Sequence, residues 1–331
     1  MHIDIKAKEV KPIRHTYSHI ARRFGEDRPA TRYQEAVLDL QPVDNFHYRP
    51  TWQPDKELYD PTRTAITMED WYKFLDPRQF YYGNYTMARA AQQASADKNF
   101  EFVEKRNLLA LVPAAAKETI VDFIVPLRHY EWGANMNNYQ ICAMGYGASI
   151  TSAAAMHGSD RLGNAQYITR IALALSDNDP AILDTGLSDW TDKDVWQGLR
   201  KVVEDSLVVD DWFELFVAQN LAMDGIVHEL FFEHLEQKLN ESGAATYSML
   251  TEFIVNWKTE ASRWVDSQIA IAVEENAANA ALVKGWYKKW FEAAQRAVAP
   301  LADAAFDNGS EVMANVTRTL EVRAAKVGAA A

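Results

Sequence analysis

The side chains best suited to metal or acid–base chemistry are Glu131, Asp224, His228 and Glu260, and their spacing withholds the pattern such chemistry needs. Di-metal sites in helical bundles draw a carboxylate and an imidazole from one helix face, as Glu-x-x-His, on each of two helices. No glutamate in this chain has a histidine three residues after it. His228-Glu229-Leu230-Phe231-Phe232 comes closest to the H-E-x-x-H motif of zinc proteases, but Phe232 stands where the second histidine belongs. His234 cannot replace it, because six residues advance a helix by roughly 600° and leave the imidazoles about 120° apart. Glu229, Glu233 and Glu236 then read as an acidic stripe on a solvated or subunit-facing edge.

Other motifs are weaker still. Gly158 to Gly163 has the glycine spacing of a phosphate loop, but Asn164-Ala165 follows where Lys and Ser or Thr must, so it reads as an interhelical turn. Gly145-Tyr146-Gly147 has no third glycine at Ile150 and no preceding strand, which suits small residues inside a packed helix. The run from Leu127 to Tyr139, with His129, Glu131, Asn135, Asn137 and Asn138, is polar where a core helix should be apolar. His129 and Glu131 are two residues apart and point to separate sides of a helix. That favours a buried hydrogen-bonded network, or a contact with an adjoining subunit, over a metal site or proton relay.

The elements that must position these residues read as helices. Thr67 suits an N-cap for a short helix carrying Trp71, Phe74 and Leu75, ended before Pro77. Helices are expected over 86–112, from Pro113, from Pro126 to about Met156, over 161–176, near 192–205 after a loop around Gly186, from Asp211 to Lys238, over 247–275, 277–305 and 309–325. The apolar positions Trp212, Leu215, Phe216, Met223, Ile226, Val227 and Leu230 make the helix after Asp211 a central one. Ahead of Ile66, six of the eleven prolines (Pro12, Pro29, Pro42, Pro50, Pro54 and Pro61) alternate with Tyr17, Phe24, Tyr33, Phe46, Tyr48, Trp52 and Tyr59. That pattern describes an extended arm laid over its own bundle or another subunit. The expected fold is all-α, with an arm over 1–66 and a single helical domain over 67–331.

Composition narrows the function. With 331 residues, 48% of them hydrophobic, the chain can bury a large core. A net charge of −12 opposes binding to nucleic acid. The single cysteine, Cys142, rules out a disulfide framework and reads as a structural thiol. The absence of a secretory signal and of a spanning apolar stretch points to a cytoplasmic protein without membrane contact.

Four segments together carry a resemblance: Ile66 to Trp71, Asp76 to Tyr82, Leu127 to Tyr139, and Trp257 to Asp266. With them, the chain resembles the β subunit of the hydroxylase component of bacterial multicomponent monooxygenases, phenol hydroxylase most closely, over essentially its whole length. The resemblance implies a ferritin-like bundle with additional helices, and a non-catalytic structural subunit that binds no cofactor and supplies no catalytic or metal residue. It also implies a catalytic α subunit with a di-iron centre and a small γ subunit in a dimer of heterotrimers, served by a regulatory protein. A separate reductase would pass NADH-derived electrons, so that the complex converts phenol to catechol with O2. Glu260-Ala261-Ser262-Arg263-Trp264 resembles the Glu-Ser-Arg-His ligand segment of α, with an aromatic at the histidine's place, and Asn164 to Tyr167 supplies no ligand pair. A bundle that gives up iron is expected to give up its buried carboxylates too, leaving ordinary core. Burying Trp264 there would contribute on the order of 2–3 kcal/mol. The competing reading is a metalloenzyme with an irregular site built from Glu131, Asp224, His228 and Glu260.

Overall fold

The computed structural model describes residues 16–40 and 53–330, and among these it contains helices and no strand. In chain order the α-helices are α1 Ser18–Phe24, α2 Arg32–Val37, α3 Tyr82–Lys105, α4 Ala114–Phe123, α5 Leu127–Met144, α6 Ala148–Leu175, α7 Ala181–Asp192 and α8 Asp194–Ser206. They continue with α9 Trp212–Phe216, α10 Asp224–Glu229, α11 Leu235–Glu241, α12 Ala245–Glu275, α13 Ala277–Ala305 and α14 Gly309–Lys326. Two π-helical segments, Val217–Met223 and Leu230–His234, join α9, α10 and α11 into one unbroken rod over 212–241, begun by Asp211, whose carboxylate accepts from the amides of Phe213 and Glu214.

Four long elements form the core: α5, α6, the 212–241 rod and α12. The rod is apolar on nearly every side, with Trp212, Phe213, Phe216, Leu221 and Ile226 fully buried, as befits a helix surrounded by others. It is enclosed by α5, α12 and α13, while α3 packs on α12 and α14 on α13. The fold is thus a ferritin-like four-helix core with additional helices around it.

Several boundaries differ from expectation. The chain turns at Gly145–Gly147, not at Gly158: Gly147 has φ +93°, which favours glycine, and α6 runs unbroken through Gly158. Gly158 is small for packing reasons, since a Cβ there would stand 3.2 Å from the Tyr139 ring. Gly186 lies inside α7 against Val125 and not in a loop. Around Trp71 only a 3-10 turn forms, capped by Asp70; Thr67 instead bonds through its backbone to Asn279 of α13.

The arm is less extended than its prolines suggest. The helices α1 and α2 fit between them, α2 held by a capping box of Thr31 and Gln34. Ile20, Tyr33, Val37 and Leu38 pack with Phe24, Tyr72, Leu75 and Tyr81, and Leu40 accepts from the amide of Ala148. This part of the arm lies on its own bundle. Pro12, Pro42, Pro50, Phe46, Tyr48 and Trp52 lie outside the described residues. Cys142 is half-buried in α5, with burial pushing its thiol up. No helix among the described residues is long and apolar enough to cross a membrane.

Candidate functional site

The four core helices each turn polar or aromatic side chains toward one level of the bundle. From α5 come Tyr130 and Glu131; from α6, His157, Arg161 and Asn164 at i, i+4, i+7; from the rod, Gln219, Asn220, Asp224 and His228; from α12, Trp257, Ala261 and Trp264. All are buried to within a few per cent of completeness. Gln219 and Asn220 belong to the first π-helical segment, a geometry that re-aims side chains within a helix.

Arg161 is the centre of this level. Its Nη1 and Nη2 donate to the two oxygens of Asp224, each at 3.0 Å, and its Nε lies 2.8 Å from Glu131 Oε2. The Tyr130 hydroxyl donates to Asp224 Oδ1 at 2.6 Å and Gln219 Nε2 donates to the same oxygen at 2.9 Å. His228 Nε2 stands 3.3 Å from Arg161 Nη1 and 3.5 Å from Glu131, while Asn164 donates to Glu131 at 3.3 Å. The aromatic faces of Trp257 and Tyr130 flank the guanidinium at 5.1 and 5.5 Å. Further along, Asn137 donates to Gln219 and Ser206, and Asn138 and Asn220 exchange hydrogen bonds.

The charges respond accordingly. Burial acts to raise Asp224, but Arg161, Lys258 and His228, with the Tyr130 hydroxyl, hold it well below the usual carboxylate range. Burial acts to lower Arg161, yet Asp224 and Glu131 raise it, so the guanidinium remains charged. Burial also lowers His228 and, more strongly, His157, so both imidazoles are neutral near pH 7. His157 stacks on Trp257 at 5.1 Å and meets Trp264 at 5.2 Å with a 50° tilt, with neither ring nitrogen hydrogen-bonded among the described residues.

Of the four residues that an irregular metal site would use, Glu131, Asp224 and His228 are brought together and Glu260 is not. Glu260 faces away, bonded to Arg89 at 2.9 Å and 3.7 Å from Arg78. The other three do not suit a metal ion, because a divalent cation between the carboxylates would have to displace a guanidinium of its own sign. The expectation that the carboxylates would be lost, leaving ordinary core, needs correction. Two carboxylates, Glu131 and Asp224, stand there, both paired with Arg161, and the aromatic part of that expectation holds for Trp264, which is fully buried. Glu131 belongs to a buried network, as the polar run in α5 suggests, whereas His129 leaves it and stacks on Trp190 at 6.1 Å.

Sequence reasoning missed Arg161. Its signal was available: Arg161 and Asn164 sit three apart, the spacing of the absent Glu-x-x-His pair, in phase with Ile168, Ile171 and Ala172. Reading Gly158–Asp160 as a turn concealed that phase.

Fold and site together define a ferritin-like bundle protein whose core helices meet around an arginine paired with two carboxylates. The chain belongs to the methane/phenol/alkene hydroxylase family, whose profile matches residues 52–276. It is 45% identical to the phenol 2-monooxygenase oxygenase component DmpL of Pseudomonas sp. strain CF600, over 99% of this chain and 98% of that one. It is 43% identical to the oxygenase component MhpL of the Acinetobacter pittii strain PHEA-2 enzyme, over 92% of each. Its structure superposes on a chain of phenol hydroxylase from Pseudomonas sp. OX1, solved under xenon, with TM-score 0.92, 44% identity and 98% of both chains covered.

Proposed function

We propose that this chain is the non-catalytic β subunit of a phenol-hydroxylating multicomponent monooxygenase, with 67–331 as its bundle domain and 1–66 as an arm. The observation that carries the reading is Arg161, whose guanidinium fills the space between Glu131 and Asp224 that a bridged metal pair would require. Names of relatives at 43–45% identity over nearly the whole chain supply the substrate class. In this reading the di-iron centre and the phenol lie in a partner α subunit, with a small γ subunit completing a dimer of heterotrimers in the cytoplasm. A reductase passes electrons from NADH, and a regulatory protein docks on the hydroxylase. The chain's contribution is rigidity: a four-helix core locked by an ion-paired centre against which α can fold and assemble.

The test is iron content and turnover. The chain is produced alone and together with α and γ in iron-supplemented medium, and each sample is assayed for bound iron and for phenol-dependent O2 uptake with the reductase present. Iron and turnover are expected only when α is present. Stoichiometric iron on the isolated chain, accompanied by oxygen-dependent turnover, would overturn the assignment.

A further inference from the structure

Between α10, α12 and α14 lies a cavity of about 190 Å3 that adjoins the network around Arg161 through His228. Lys258 lines it, partly exposed, and its amine has neither a hydrogen-bond nor an ion-pair partner among the described residues. An unpaired lysine in such a place is unusual, since an ammonium taken out of water needs partners. The titratable and charged groups around it are Asp224, Arg161, Arg323 and Asp266, with His228, Glu229 and Glu233 on the cavity wall. Burial pulls the ammonium down, Asp224 pulls it back up, and Arg323 and Arg161 push it down again, leaving it at about 7. At neutral pH a substantial share of the amine is therefore unprotonated.

We propose that Lys258 is a nucleophilic amine that takes up small aldehydes and ketones as a protonated imine in this cavity. Three features select carbonyl compounds over other electrophiles. The cavity has about the volume of six liquid waters, which admits a molecule of a few carbons. Phe232, Val255 and Leu320 supply an apolar wall for its alkyl part. Charge is the third: Glu229 and Glu233 line the cavity with Lys258, and Asp224 acts on the amine from the ion-paired centre, so a product that keeps a positive charge on the nitrogen is favoured. Acylation or carbamate formation would remove the positive charge from the nitrogen beside these carboxylates. A protonated imine retains it.

The step balances without any oxidant. The nitrogen lone pair forms a bond to the carbonyl carbon, the π pair moves to oxygen, and a proton from the ammonium is transferred to that oxygen. Loss of water then breaks the C–O bond, so that ammonium and ketone become iminium and water. Glu229 and His228, whose Nδ1 has no partner among the described residues, line the same cavity and can exchange these protons.

The test is reductive trapping on the full chain. Acetone and cyanoborohydride are added over pH 5–9, and alkylation is followed lysine by lysine by mass spectrometry. At pH 7 Lys258 is expected to react roughly ten- to a hundredfold faster than the exposed Lys201, because an amine at about 7 is largely unprotonated there while nucleophilicity falls more gently with basicity. Its rate should level off above pH 7. Lys258→Arg, which keeps the charge and whose folding is checked by circular dichroism, should remove this fast phase alone. Modification of Lys258 no faster than Lys201, or a fast phase that survives Lys258→Arg, overturns the proposal.

Discussion

Replacing Arg161 with leucine tests the claim that the bundle centre is an ion-paired core. Arg161, Glu131 and Asp224 are each no more than 2% exposed, and the guanidinium reaches both carboxylates within 3.0 Å. Removing one member of a buried pair leaves the other uncompensated and costs about 3–5 kcal/mol. With an unfolding entropy on the order of 0.7 kcal/mol/K for 331 residues, that corresponds to a fall in Tm of about 4–7 °C. The pH dependence gives a second, opposite-signed readout. In the native protein Asp224 is held below its ordinary value, so its contribution is present above about pH 4 and is lost as pH falls through the folded value. In the leucine variant a buried, unpaired Asp224 is raised, so the deficit against the native protein should shrink as pH falls from 7 to 5. A triple variant, Arg161→Leu with Glu131→Gln and Asp224→Asn, removes the stranded charges and should recover at least half of the loss. Urea titrations followed by circular dichroism at pH 7 and pH 5 measure each quantity. A loss below about 1 kcal/mol for Arg161→Leu, or no recovery in the triple variant, would refute the ion-pair account.

Tyr130→Phe removes a hydroxyl that donates to buried Asp224 at 2.6 Å while leaving Gln219 in place, and a loss of about 1.5–3 kcal/mol in urea unfolding is expected. His157 and His228 are both held below their ordinary value in the folded state, so the unfolded chain protonates first as pH falls and stability present above about 6.5 declines below it. Each contributes up to about 1.4 kcal/mol per pH unit, and His157→Phe should flatten the slope between pH 6.5 and 5. Gly133→Ala places a Cβ 2.4 Å from Val203 Cγ1 between α5 and α8, and calorimetry should register about 1–3 kcal/mol of lost stability.

Most of the helical scaffold was legible because its apolar residues recur at helical spacing, and 277–305 needed no adjustment against Ala277–Ala305. The failures have a common physical form. Gly158, Ser159 and Asp160 make a good local turn signal, but each serves the helix or its packing: Gly158 clears Tyr139, Ser159 bonds back to Ala155, and Asp160 joins Arg89, Tyr85 and Trp257. The partners of Asp160 lie 71 to 97 residues away along the chain, beyond the reach of a local pattern. The site suffered likewise. Glu131 and Asp224 were visible as polar residues in core helices, but only three dimensions place Arg161 between them.

Why a bundle should retain such a core is a question of specificity. Well-packed apolar residues would give equal or greater stability at the same level, because desolvation offsets much of the Coulomb attraction. An apolar core, however, tolerates a helix shifted along its axis, since one leucine packs much like the next. The bidentate geometry at Asp224 does not, because a planar guanidinium meets both carboxylate oxygens in one register only. Arg161 binds α6 to α10 through Asp224 and to α5 through Glu131, while Trp257 of α12 covers its face, so a single side chain indexes all four core helices. The amide pairs Asn137–Gln219 and Asn138–Asn220 repeat that indexing between α5 and the rod, and the π-helical turn brings the two adjacent partners, Gln219 and Asn220, to bear on α5 together. A fixed register of the four core helices is thus what the ion-paired centre supplies and added apolar packing does not.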